Sequence, residues 1–327
     1  MHFEHISVLT KKVLDFAPES TQTILDCTLG GGGHSQLLLE RFAEARLFGI
    51  DRDYYALRAT KNRLNSFREK TTLSQASFSE LTDCFIRWGN PLFDYIFADI
   101  GVSSEQLSRP FRGFSFLHEG PLDMRMDQER QKLTAAHLVN NSSEKELLNI
   151  LRSYGEERFA RKIVSAIITA RAKKPLETTS ELGNLIKDVI PRRFKKPGIH
   201  QATLTFQALR IAVNDELNEL TSLLYQVPTM LKPNGRFAII SFHSLEDRII
   251  KHQMRKWENP CVCPTNLPYC ICGQKSKGKV LTRMPVKASS SEILNNPRCR
   301  SAHLRVFSLS TTTNLRLKFS VMISGKI

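Results

Sequence analysis

Over the first hundred residues, short apolar runs that stop at glycine or aspartate alternate with stretches of helical spacing. Thr23–Leu29 is one such run and leads into four glycines, Gly30 to Gly33. Arg46–Ile50 stops at Asp51, Thr71–Ala76 is a third run, and Phe93–Ile100 stops at Gly101. Between them, His34–Phe42 carries Leu37, Leu38 and Phe42 at helical spacing, and Tyr54–Phe67 reads as a second helix. Short apolar runs bounded by turn formers predict buried strands. Strands separated by helices predict a parallel sheet with right-handed crossovers.

The rhythm changes after residue 106. From Leu107 to Phe206 no run reads as a buried strand. Helices are expected instead over Thr134–Val139, Glu144–Ser153, Glu156–Ala172, Thr179–Val189 and Thr203–Leu224. Thr178 and Thr179 stand ahead of Glu181 as capping residues. The strand signal returns at Arg236–Phe242, behind the turn Lys232-Pro233-Asn234-Gly235, and again at His303–Leu309. The expected fold is α/β: one sheet domain in two parts, 1–106 and 207–309, with an inserted all-helical domain at 107–206 and a basic tail at 310–327.

Composition narrows the partners. A hydrophobic content of 41% and a charged content of 24% are those of an ordinary globular chain. No apolar run is long enough to span a bilayer, and the start Met1-His2-Phe3-Glu4-His5 lacks the pattern of a secretory signal. The expected location is therefore the cytoplasm. The formal net charge of +15 favours a polyanion, nucleic acid first. Eleven Lys or Arg against the single acid Glu292 follow Gly273, so the C-terminal end is expected near that polyanion.

The chemistry is expected where the strands end, because open parallel sheets bind ligands there. Glycines after the first strand let backbone approach a ligand closely. Asp51, about twenty residues on, can accept ribose hydroxyls. The nicotinamide fingerprint G-x-G-x-x-G fails: counted from Gly30 its third glycine falls on Ser35, and from Gly31 on Gln36. A Walker loop is absent as well. What remains is a nucleoside-type cofactor without a pyrophosphate, or a glycine-rich turn that holds no ligand. Phe78 is a candidate to lie against the adenine. Asp99, in Ala98-Asp99-Ile100-Gly101, would face the reacting centre.

Taken together, several blocks resemble the ribosomal RNA small-subunit methyltransferase H family. They are Gly32-Gly33-His34-Ser35, Ile50-Asp51-Arg52-Asp53, Asp99-Ile100-Gly101-Val102-Ser103-Ser104 with Gln106-Leu107, and Arg112-Gly113-Phe114-Ser115-Phe116. Further along stand Gly120 to Asp127, Tyr154-Gly155-Glu156-Glu157-Arg158, Thr205 to Ile211 and Ser241 to Arg248. The resemblance runs from near residue 5 to about 307. It implies a class I S-adenosylmethionine-dependent methyltransferase, a Rossmann-like sheet with a helical insertion. The implied reaction is N4-methylation of a cytidine in the decoding region of 16S ribosomal RNA, in the small subunit. It implies cofactor contacts at Gly32, Gly33, His34, Asp51, Phe78, Asp99 and Gln106. The tail after Ser310 lies outside the match.

Other residues carry weaker expectations. Asp99 is the candidate to orient the cytosine amine and accept its proton, although the Asp/Asn-Pro-Pro-aromatic motif of many amino-methyltransferases is absent. His243 and Phe242 are candidates to position the base. Arg192, Arg193, Lys195 and Lys196, with Arg171, Lys173 and Lys174, could follow a phosphate backbone. Cys261, Cys263, Cys270 and Cys272 form a C-x-C…C-x-C pattern. Unliganded cysteines, and so no metal, are the default there; a structural zinc is the alternative. A homodimer is the candidate assembly. The competing functions are a non-catalytic RNA-binding factor and a small-molecule methyltransferase.

Overall fold

The computed structural model describes residues 7–191, 194, 200–264 and 269–311. Five parallel strands make up most of one sheet: β1 Thr23–Asp26, β2 Arg46–Asp51, β3 Thr71–Gln75, β4 Phe93–Asp99 and β5 Leu231–Ser241. Two more strands follow, β6 Gly278–Val280 and β7 His303–Leu309. The order across the sheet is β3-β2-β1-β4-β5-β7-β6. Strand β7 runs antiparallel to both of its neighbours. The order reverses between β1 and β4, which opens a crevice at their carboxyl ends. This is the expected α/β sheet.

Both faces of the sheet are buried, which explains why its strands read as nearly continuous apolar runs. Side chains alternate between the two faces. Leu25, Ile96 and Ile239 pack on one side with α4 (Leu81–Arg87), α11 (Glu216–Met230) and α12 (Ser244–Glu258). Ile24, Tyr95, Phe97 and Ile240 pack on the other with α1 (Thr10–Phe16) and α2 (Gly33–Arg41). The Tyr95 hydroxyl donates to the Val13 carbonyl at 2.8 Å and pins α1 to the sheet.

A third apolar cluster joins α6 (Ala135–Asn141), α7 (Glu144–Ser153), α8 (Ala160–Arg171), α9 (Thr179–Val189) and α10 (Thr203–Asn214). Thr178 caps α9 in a reciprocal box with Glu181. The 206/207 boundary drawn from sequence falls inside α10, whose Leu209 and Val213 still belong to the helical cluster. The single helix expected over Thr203–Leu224 is two. Asp215 takes φ 51° and turns the chain between α10 and α11. Asn214 is held there by giving its side-chain amide to Met124 O and accepting the Met126 N–H, both at 2.8 Å. Asparagine and aspartate tolerate the left-handed region better than most residues, so this pair suits the break. The helix expected from Glu156 begins only at Ala160, because Glu156 itself sits at φ 48°. Arg52 Nη1 donates to Asn214 O at 2.8 Å, linking the α10–α11 turn to the end of β2. No helix among the described residues is long and apolar enough to cross a membrane.

Candidate functional site

A cavity of about 330 Å³ lies over the carboxyl ends of β1, β2 and β4. Gly30, Gly33, His34, Asp51, Phe78, Asp99 and Gln106 all line it. The glycine loop is shaped by local rules. Gly32 takes φ 75° and caps α2. A Cβ on Gly32 would meet Thr60 and Arg63 at 3.2–3.3 Å, so this glycine lets the loop cross α3 (Tyr54–Arg63). Gly32 itself stands behind the cavity wall, between Gly33 and the lining residue Gly30. At Gly33 a Cβ would lie 2.1 Å from Ser7 Oγ.

Asp51 holds the loop in place. Its Oδ2 accepts the Gly30 N–H and its Oδ1 the Asp53 N–H, each at 2.8 Å. Each oxygen keeps a second lone pair for a ligand. Burial raises its pKa to about 6, against the lowering effect of those two N–H groups. Beneath the loop, the fully buried Asp26 accepts from Ser35 Oγ at 2.6 Å and from the Thr28 N–H at 2.9 Å. Burial takes Asp26 to about 7.

Asp99 is the most perturbed of the three. Burial first, then Asp26 and Glu246, push it up to about 8. Its Oδ2 faces His34 Nδ1 at 3.7 Å. Among the described residues its buried Oδ1 has no hydrogen-bond partner. His34 is fixed from its other side, with Nε2 at 2.8 Å from the Val8 carbonyl. Asp99 thus holds a proton near neutrality beside the more acidic Asp51, and a ligand carrying positive charge would draw both toward the ionised form.

Gln106 is occupied. Its Oε1 accepts the Ser103 N–H at 2.9 Å and its Nε2 donates to Asp53 Oδ2 at 2.8 Å. Arg112 reaches the same Asp53 oxygen at 2.8 Å and is 1% exposed. Phe78 begins the 3-10 turn after β3 and packs partly into the core.

His243 is not part of the cavity wall. Its ring accepts the Glu246 N–H as the N-cap of α12, and its Nε2 lies 2.9 Å from Glu246 Oε1. Phe242 does line the cavity. Burial works to raise the Glu246 carboxyl, but His243, Arg210 and the Phe242 N–H hold it below its usual range. Glu216, His243 and Glu246 bring ligand atoms within 4.8 Å of one another. Arg210 already clamps Glu216 at 2.7 and 2.8 Å, and His243 and Glu246 serve each other. The group closes as a polar cluster.

Arg210, Glu216 and Glu246 line the cavity and were not singled out from sequence. Arg210 and Glu246 stood inside the matching blocks, and a charged residue amid apolar helix positions was the available signal. Asn296, Arg298 and Ser301 also line the wall, from a loop whose sequence gave no such signal. Of the basic candidates, Arg192, Arg193, Lys195 and Lys196 lie outside the described residues. Arg171 donates to Val139 O at 2.7 Å, and Lys174 pairs with Glu181 at 2.9 Å.

The sequence profile described as the MraW methylase family matches residues 2–310. A protein named ribosomal RNA small subunit methyltransferase H from Symbiobacterium thermophilum is 47% identical over 307 residues, covering 93% of this chain and 96% of that protein. Proteins of the same name from Halothermothrix orenii and Pelobacter propionicus are 46% and 47% identical, each covering 93% of this chain and 97% of its counterpart.

Proposed function

The chain belongs to the MraW methylase family, and from that membership we propose that it methylates the N4 amine of a cytidine in the decoding region of 16S ribosomal RNA. It is a methyltransferase of small-subunit ribosomal RNA, and S-adenosylmethionine is its methyl donor. The proposal adds the target atom, the residue roles, the cytoplasm as its location and a homodimer as the expected assembly.

Asp99 carries the reading. It stands at the switch point of the sheet, in the cavity of the glycine loop, with a buried oxygen that no described protein group satisfies. The donor supplies an electrophilic methyl on a positively charged sulfur. Asp51 offers its remaining lone pairs to the ribose, Phe78 a flat apolar face to the adenine, and the Gly30–Gly33 loop room for close approach. Asp99 accepts a hydrogen bond from the cytosine amine. That bond returns electron density to a nitrogen whose lone pair is delocalised into the ring, and it orients the nitrogen for in-line attack. The ionised carboxylate then takes the proton. RNA recognition by the helical insertion is part of the proposal, supported by the basic balance of the chain.

Carboxyl groups that ionise beside a positive charge favour a cationic donor over an anionic dinucleotide. Binding S-adenosylmethionine at pH 7 is expected to release protons, mainly from Asp99. Its pKa in the free cavity is about 8, and a nearby positive charge lowers it. The ligand therefore binds more tightly as pH rises toward 8, and the gain levels off above. Calorimetry in two buffers of different ionisation heat reads the release directly. Proton uptake on binding would contradict this account. S-adenosylhomocysteine, whose sulfur is neutral, is expected to release fewer protons.

Transfer of labelled methyl to naked 16S RNA and to isolated small subunits, followed by nucleoside analysis, tests the function. N4-methylcytidine in either substrate is the expected product. Label in a different nucleoside would overturn the target. Label in neither RNA, with methyl passed to small molecules, would favour the small-molecule reading. A binding factor without activity would transfer none.

A further inference from the structure

We infer that Cys261, Cys263, Cys270 and Cys272 form a structural zinc site in the connection between α12 and β6, away from the methyl-transfer cavity. None of the four lines that cavity. The spacing is two C-x-C pairs with six residues between them. Such pairs look like poor chelators, because neighbours two apart must turn to the same side. The structure brings them there: all four sulfurs lie within 4.8 Å of one another.

The distances have a definite size. Cys261 and Cys270 Sγ are 3.5 Å apart, Cys263 and Cys270 3.8 Å, Cys270 and Cys272 3.4 Å, and Cys261 and Cys272 3.9 Å. Four sulfurs placed tetrahedrally at about 2.3 Å from a zinc ion lie about 3.8 Å from each other. A disulfide requires about 2.05 Å, well below the shortest of these separations. All four cysteines are free. The spacing therefore matches a metal tetrahedron and not two crosslinks. Four thiolates select zinc over hard cations such as magnesium or calcium.

The surroundings support thiolates. The Ile271 N–H donates to Cys263 Sγ at 3.3 Å, the kind of outer contact that fixes a metal ligand. Lys275, Lys277 and Lys279 follow directly in sequence. A zinc tetrathiolate carries net −2, so a basic stretch beside it in sequence is at least of the right sign.

The described residues of the loop bury little apolar surface. Val262, Tyr269 and Ile271 are 77%, 74% and 69% exposed. These three apolar side chains of the loop therefore point to solvent and add little to a core. Its feet are fixed: the Lys277 N–H donates to Trp257 O at 2.7 Å, and the Val280 N–H to Glu258 Oε1 at 2.9 Å. Between those feet a metal supplies the ordering energy that burial does not.

The test uses the full chain, purified with thiol reductant and without chelator, then given zinc chloride and desalted. Metal analysis is expected to find about one zinc per chain, falling below about a tenth in a C263S/C272S double variant. Cobalt(II) in place of zinc should give the intense visible bands of a tetrahedral thiolate complex. Chelation should speed tryptic cleavage at Lys275 and Lys277 by about tenfold or more, as expected of a loop that folds on its metal. Cofactor binding by the double variant, unchanged from the parent chain, would show that the sheet domain is intact. The proposal fails if zinc stays below about a tenth of an equivalent and the thiols react equally fast with and without zinc. Disulfides found by mass mapping of unreduced protein would overturn it as well.

Discussion

Asp99→Asn is expected to slow single-turnover methyl transfer by about two to three orders of magnitude, the range of a lost proton acceptor. The change keeps the shape of the side chain and removes its ability to take a proton. The wild-type rate should climb with pH through neutrality, because only the ionised carboxylate accepts. Its pKa is about 8 in the free cavity and lower beside a cationic donor, so the climb ends below pH 8. The variant's profile should be flat over the same interval.

Stability separates this loss from unfolding. A carboxyl group whose pKa rises on folding contributes stability at pH below its unfolded value, and loses it as pH rises through the folded value. Asp99 therefore weakens the native state between about pH 4 and pH 8. The asparagine variant should melt no lower than the parent at pH 8. A rate within about threefold of wild type at saturating donor and RNA would remove Asp99 from the chemistry.

Arg112→Met should cost about 3–5 kcal/mol of stability, the range for breaking a buried ion pair from one side. The guanidinium is 1% exposed and lies 2.8 Å from Asp53 Oδ2. It also donates to the carbonyls of Arg125 and Met126 at 3.0 Å. Asp53 caps α3 through the Tyr55 N–H and takes the Gln106 amide on the oxygen that Arg112 pairs. Methionine fills much of the volume but leaves Asp53 charged and buried. Two carbonyls lose a donor as well. Thermal or denaturant unfolding measures the loss, and Asp53→Asn in the same chain should recover part of it. A loss below about 1 kcal/mol would mean that water replaces the guanidinium at little cost. Asp53 follows Asp51 and Gln106 follows the Asp99 loop, so donor affinity should weaken along with stability.

Sequence exposed the floor of the site more readily than its walls. Asp51 and Asp99 were legible because a strand buried on both faces must end in something polar, and the ending residue points at the crevice. Strand β7 was read to the residue because its apolar run is bounded cleanly. Strand β6, Gly278–Val280, is three residues at a sheet edge and carries no period to detect. Helix α1 has seven residues with Lys11 and Lys12 in its first turn, too short to show an apolar face. Asp215 was missed because propensity is continuous across it. The break comes from tertiary hydrogen bonds to Met124 and Met126, about ninety residues away in the chain. Arg112 and Gln106 show the same limit. Each was visible within a block, but their shared partner Asp53 lies more than fifty residues upstream. His243, a candidate to position the base, caps α12 in the structure, a role that depends on where α12 begins.

The wall of the cavity draws on both extremes of the described chain, Ser7 and Val8 on one side and Asn296, Arg298 and Ser301 on the other. Strand β7, which closes the sheet between β5 and β6, follows directly at His303. During synthesis, the glycine loop and both key aspartates emerge within the first hundred residues, yet the chamber around them has no far side until some two hundred more have been added. The enclosure is therefore complete only once residues near Ser301 have been added. A product truncated before Asn296 would carry the two aspartates without that part of the wall, and is expected to hold the donor less tightly.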